Sequence, residues 1–292
     1  MRAWLAIMNW ISVLAVVLAA SGLQRQDAAS AQTTSDVLQA AGRYMAAYQR
    51  EFSIVVSRES YQQRVQTGGK VETRHLRSEV ALVAIDAANW ILFRDVYEVD
   101  GRTIADRSDR LTQLFLKPAA DVGVQARRIL EDGARYNLGP ITRTLNTPTQ
   151  ALEFIRSENQ SQSSFRLAGR ARVDGVETYD LRFEETATPR MIMTRDAAAA
   201  SGRFWVAIDT GAIVKTELRI RSLGMLATLT VNYAKHDKPP MWVPIRMIES
   251  YEPAERSSSR LDVDAPVAVR IDGVATYSDF RQFAVDTKLI LR

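Results

Sequence analysis

Through the second half of the chain the apolar residues recur at every second position, and this period constrains the fold more than any other feature. Phe165, Leu167, Ala171 and Val173 are interleaved with Arg166, Arg170 and Arg172 before an Asp174-Gly175 turn. Tyr179, Leu181 and Phe183 then alternate with Thr178, Asp180 and Arg182. Phe204, Val206 and Ile208 lead to a Thr210-Gly211 turn, and Val214, Thr216, Leu218 and Ile220 alternate with Lys215, Glu217, Arg219 and Arg221. The pattern continues from Leu226 to Tyr233, from Met241 to Tyr251 after Pro239-Pro240, and from Val274 to Phe280 after an expected Asp272-Gly273 turn. Strands of this kind have one buried and one wet face. The turns between them are short, so neighbours are antiparallel.

The first half adds helices to that sheet. Val37, Leu38, Ala41, Tyr44, Met45 and Tyr48 form one stripe at helical spacing, which predicts a helix from Ser35, as N-cap, to Gln49. Ile54, Val56, Val80, Leu82 and Ala84 belong to two long strands around Gly68-Gly69, and Trp90 to Val99 runs as a strand into Asp100-Gly101. A helical insertion at about 106–158 follows. It holds a short helix with Leu114, Phe115 and Leu116, stopped by Pro118, and a second helix with Val122, Ala126, Ile129 and Leu130. A third helix opens on the capping box Thr147-Pro148-Thr149-Gln150. The expected class is α+β: a curved antiparallel sheet of about ten strands, an incomplete barrel wrapped around the covering helices.

Ahead of this body, Arg2 precedes an apolar run from Ala3 to Gly22, and the leader ends in Ala29-Ser30-Ala31. Residues 1–31 read as a secretory signal peptide. An uncleaved anchor is the other reading, because about 20 apolar residues also span a bilayer. Either one places the single domain 32–292 on the far side of the membrane, periplasmic or secreted. The sequence contains no cysteine, so disulfides, thiolate metal sites and lipoprotein acylation are excluded. The net charge of +4 is spread along the chain rather than clustered, which argues against a nucleic-acid partner.

Three segments resemble the family of periplasmic lipoprotein carriers and sensors that includes LolA, LolB and RseB. They are Phe204-Trp205-Val206-Ala207-Ile208-Asp209-Thr210-Gly211, Val231-Asn232-Tyr233 with Trp242-Val243-Pro244-Ile245-Arg246-Met247, and Ala275-Thr276-Tyr277-Ser278-Asp279-Phe280. The resemblance implies a LolA-like half-barrel around an apolar cavity. It also implies a role in holding lipoprotein acyl chains or in sensing the state of the envelope. Unlike LolB, this chain has no cysteine to acylate, and it is longer than a minimal carrier.

Catalytic constellations are weak. His75 and His236 are the only histidines, and a metal site needs further strong ligands. The serine-rich loop Ser257-Ser258-Ser259 lacks the glycine context of a nucleophile elbow. We therefore expect a non-enzymatic protein without metal or cofactor. The candidate cavity residues are Trp90, Leu92, Trp205, Leu218, Met241, Val243, Ile245, Met247 and Tyr251, with Leu114, Phe115 and Leu116 as a lid. Methionine side chains adapt to irregular apolar ligands. Counting by twos puts Met241, Val243, Ile245 and Met247 on one face and Trp242 on the other. The expected partner is a lipid or lipoprotein acyl chain, with an envelope protein as the alternative. Membrane association is expected to be transient, or through the leader if it is retained.

Overall fold

The computed structural model describes residues 33–51, 54–84, 90–105, 133, 135–140, 143, 146–238, 240–254 and 269–283. The leader and the lid residues Leu114, Phe115 and Leu116 lie outside these. Helix α1 runs Thr34–Glu51, so Ser35 sits inside its first turn rather than capping it. Its stripe is as expected: Val37, Ala41, Met45 and Tyr48 are buried at successive turns. Among the described residues no helix is long and apolar enough to cross a membrane.

Eleven strands form one antiparallel sheet: β1 Ile54–Thr67, β2 Lys70–Ala84, β3 Trp90–Val99, β4 Arg102–Thr103, β5 Ser163–Val173, β6 Val176–Glu185, β7 Ala200–Ala207, β8 Ile213–Ser222, β9 Met225–Lys235, β10 Trp242–Pro253 and β11 Val269–Phe283. Their order is β4-β3-β2-β1-β11-β10-β9-β8-β7-β6-β5, a meander except where β1 meets β11. β4 and β5 are free edges, so the sheet is open, as in an incomplete barrel. Laid flat, eleven strands would span about 50 Å. Yet one buried cluster joins α1 to residues from β1, β2, β3 and β6 through β11, which requires the sheet to curl.

Of the three expected insertion helices, the first two lie outside the described residues, and the third is shorter than the sequence suggests. The capping-box helix is reduced to α2, Leu152–Ile155, preceded by tight turns in which Gln150 N–H bonds Thr147 O at 3.0 Å and Leu152 N–H bonds Thr149 O at 3.0 Å. Its apolar residues Leu152, Phe154 and Ile155 are buried as expected. Phe154 meets Phe183 at 4.9 Å between ring centroids, and Phe183 meets Phe204 at 5.1 Å. These contacts lie in the range where aromatic pairs attract.

The Asp272-Gly273 turn is not formed: both residues lie inside β11. Gly273 is there for space. It stands opposite Gln63 on β1 and Glu249 on β10, and a Cβ on it would lie 2.7 Å from Glu249 Oε1 and 3.0 Å from Tyr61 Cε2.

Candidate functional site

The expected cavity residues divide between the two faces of the sheet. Leu218, Met241, Val243 and Met247 belong to the main buried cluster together with α1 and α2, and Leu92 packs half-buried against it. Trp90 lies at the start of β3. Two of the nine face outward instead. Phe204 and Val206 take the inward positions of β7, which leaves Trp205 half-exposed beside Lys215, with the ammonium 5.0 Å from its ring centroid. Ile245 is 37% exposed, and a bulge between Pro244 and Arg246 is the reason. Ile245 is the residue left without a partner on β9, while Val243 and Met247 on either side stay buried. Trp242 pairs with Lys235 and is half-buried. It packs against Ala207, Ala212 and Val214.

Tyr251 belongs to a different environment, which the sequence reading missed. On the inward rows of β1, β3 and β10 lie Glu59, Tyr61, Gln63, Arg94 and Glu249, all buried. Arg94 Nε donates to Glu59 Oε2 at 2.6 Å and Nη2 to Oε1 at 2.9 Å, a two-pronged pair. Burial works against the Arg94 charge, but the charge and hydrogen bonds of Glu59 outweigh it and hold the guanidinium above its ordinary pKa. Arg143 enters from the chain ahead of α2. Its Nη1 donates to Glu249 Oε1 at 2.7 Å and to the Tyr61 hydroxyl at 3.0 Å, and Nη2 donates to Gln63 Oε1. Tyr61 in turn donates to Glu249 Oε1. The ring of Tyr61 is close to both guanidiniums, 5.1 Å from that of Arg94 and 5.9 Å from that of Arg143.

These bonds tie the described residues ahead of α2, 135–140, 143 and 146–149, to the inner face of the sheet as a strap. Leu138 N–H donates to Gln63 Oε1 at 2.8 Å, and the Tyr233 hydroxyl donates to Pro148 O at 2.5 Å. Leu138 is buried with Val65, Tyr251 and Ile271. The attachment is largely polar, unlike that of α1. Beyond the strap a cleft of about 410 Å³ opens between α2 and the β6–β7 loop, lined in part by Thr147, Glu153, Phe154 and Met191. Phe154 is part of the main cluster, so the cleft reaches the edge of the core. Its walls do not include Met241, Val243 or Met247.

Chemically, the ionic cluster consists of matched charges. Burial, followed by the charge of Glu249, pushes the Tyr61 hydroxyl well above the usual tyrosine value, so it is a neutral donor and not a nucleophile. The two histidines are kept apart. His75 on β2 bonds Ser60 Oγ at 2.8 Å, whereas His236 follows β9 and meets Phe280 edge-on at 5.2 Å. Among the described residues no group of His, Cys, Asp and Glu is placed to hold a metal ion.

A Gly273→Ala variant tests how tightly this cluster is built. The added methyl meets Glu249 and Tyr61 at less than contact distance. Overpacking of this kind costs about 1–3 kcal/mol. The urea midpoint is expected to fall with an unchanged slope. An unaltered midpoint would show that Glu249 moves aside freely.

No family model and no curated protein matches the chain. Among solved structures it is similar to a DUF1329 family protein from Desulfovibrio piger, at 16% identity, covering 89% of this chain and 95% of that one with a TM-score of 0.37. It is also similar to an outer membrane lipoprotein-sorting protein domain from Vibrio parahaemolyticus, at 12% identity, covering 85% and 92% with a TM-score of 0.36. A LolA superfamily protein from Nitrosomonas europaea follows, at 13% identity, covering 87% and 96% with a TM-score of 0.34. The group suggested by the sequence resemblance is therefore represented among them. With TM-scores below 0.5, these likenesses carry no argument about role.

Proposed function

We propose that the chain is a non-enzymatic binding protein of the periplasm, or a secreted one, that holds a lipid acyl chain or a lipoprotein against the inner face of its sheet. The observation that carries this reading is the strap. A cover fastened by Arg143, Gln63 and Tyr233 lies over a sheet whose inner face, beside the ionic cluster, carries a large apolar cluster. When the strap lifts, Arg143 and Glu249 are both hydrated, so the two charges regain from water much of what their pairing supplied. An acyl chain that lifts the strap gains about 0.8 kcal/mol per buried methylene, enough for reversible binding. Met45, Met241 and Met247 in the adjoining cluster suit a ligand of variable shape.

The alternative reading is an envelope sensor or assembly subunit that binds a protein partner, with the same strap as the element displaced. Native mass spectrometry with lipid extraction, on protein purified from an envelope fraction, separates the two. The carrier reading expects an acyl-bearing adduct at one per chain, lost in Met247→Lys. A clean unliganded mass from a well-folded protein would transfer the reading to the protein-binding one.

A further inference from the structure

One end of the sheet, where β6 passes to β7 and β8 to β9, holds two large apolar side chains out in water. Met193 in the β6–β7 loop is 87% exposed and Leu223 in the β8–β9 turn is 65% exposed, more than any other large apolar residue described. Leu223 is also strained. It has φ 49° and is followed by Gly224 at φ 75°, the backbone of a tight two-residue hairpin. The equivalent first positions of the other such hairpins are Gly68, Asp100 and Asp174, with φ 52°, 50° and 47°. Those residue types tolerate the left-handed region, and leucine does not. The chain thus places leucine where aspartate or asparagine would be more stable and more soluble. Asp196 fixes the two tips together, accepting from Ser222 Oγ at 2.6 Å and from Leu223 N–H at 3.0 Å.

Behind these tips the outward face carries unbalanced positive charge. Arg166, Arg182 and Arg203 stand directly opposite one another on β5, β6 and β7. Arg203 has acids nearby, Asp180 at 3.9 Å and Glu217 opposite on β8, and Glu184 lies two residues along from Arg182. Neither Arg166 nor Arg182 forms an ion pair among the described residues. Like charges in directly opposed positions repel. Three exposed arginines elsewhere have acid partners, with Arg58–Asp279 at 3.3 Å, Arg77–Glu98 at 3.8 Å and Arg172–Glu177 at 3.6 Å. Arg195, Arg219 and Arg221 are exposed nearer the tips. Arg182 lies three residues from the end of β6, about 10 Å along the strand.

Apolar tips followed by a belt of arginines match a bilayer surface, where acyl chains lie beneath a layer of phosphates. An acidic protein or a nucleic acid would meet the arginines and leave Met193 and Leu223 in water. We propose that this end of the sheet docks on an anionic phospholipid surface, with Met193 and Leu223 entering the head-group boundary and the arginine row meeting lipid phosphates. The docking is independent of what the interior holds.

The chain has no cysteine, so Met193→Cys carries a single environment-sensitive fluorophore, and Asp237→Cys in the β9–β10 turn at the other end of these strands is the control. With vesicles of phosphatidylcholine and phosphatidylglycerol, the label at 193 is expected to shift to the blue and to be quenched by spin-labelled lipid, while the label at 237 does neither. Leu223→Asn is expected to weaken partitioning about tenfold or more, with an equal or higher thermal midpoint. Arg166→Gln with Arg182→Gln is expected to weaken it about tenfold or more in protein that stays folded. Equal responses at 193 and 237, or a titration unchanged by Leu223→Asn, would overturn the proposal. A response to polyglutamate but not to vesicles would overturn it in favour of an acidic protein partner.

Discussion

An Arg143→Met variant is expected to unfold about 10 °C below the unaltered protein. The substitution keeps the bulk of the side chain and removes its charge, so Glu249 is left buried without its cation. Breaking a buried pair on one side costs about 3–5 kcal/mol, because the remaining charge has lost its hydration and gained nothing in return. For a chain of this size each kcal/mol shifts the midpoint by about 2–4 °C. The double variant Arg143→Met with Glu249→Leu is expected to recover most of the loss, since both charges are then gone. The same single variant should also release the strap. Amide exchange at residues 135–140 and 146–149 is expected to rise well before the strands open. A midpoint within about 1 kcal/mol of the parent would mean that water reaches Glu249 and that the pair is not buried in solution.

The second large effect lies at high pH. Tyr48, Tyr61, Tyr233, Tyr251 and Tyr277 all have hydroxyl pKa values pushed above the ordinary tyrosine value, in each case chiefly by burial. The unfolded chain releases these protons near pH 10, and the native protein retains them. Their contribution is therefore intact below pH 10 and is lost as pH climbs from there toward the native values. Each such group removes about 1.4 kcal/mol per pH unit, so five remove about 7 kcal/mol per unit. A native stability of about 5–15 kcal/mol is exhausted within about two units. Tyrosinate absorbance and far-ultraviolet circular dichroism, followed against pH, should show these hydroxyls ionising in the same step as unfolding. Smooth ionisation of all nine tyrosines in a protein that stays folded would contradict their burial.

The strands were legible because alternation is a local property. Phe204 and Val206 inward, Tyr179 and Leu181 inward, and the stripe of α1 all follow from counting. The misplacements have separate causes. Trp205 falls outward by the same count that puts Phe204 and Val206 inward. The bulge at Pro244–Arg246 moves Ile245 out, and nothing in Val243-Pro244-Ile245-Arg246 announces it except the proline, which cannot donate to a sheet ladder. Asp272-Gly273 has the composition of a turn, but Gly273 answers to the bulk of Tyr61 and Glu249, which are remote in sequence. Half of the ionic cluster was within reach. Glu59, Tyr61 and Gln63 occupy the inward row between Val55 and Val65, and acids on an apolar row call for partners. The partner Arg143 lies in a stretch with no period of its own, where only the path of the folded chain brings it to Glu249.

The pairing of β1 with β11 has a consequence for how the molecule assembles. Ile54 lies beside Phe283 and Thr67 beside Val269, in the interior of the sheet and not at a margin. The wings β1–β4 and β5–β10 are local hairpins that can zip up as soon as they are synthesised. They cannot be joined until β11 arrives, and contacts between such distant residues form slowly. Until then β1 and β10 each present an unpaired edge, the form of chain most prone to stray association. Cooperative folding is thus deferred until β11 has been synthesised, because that strand alone joins the two wings into one sheet.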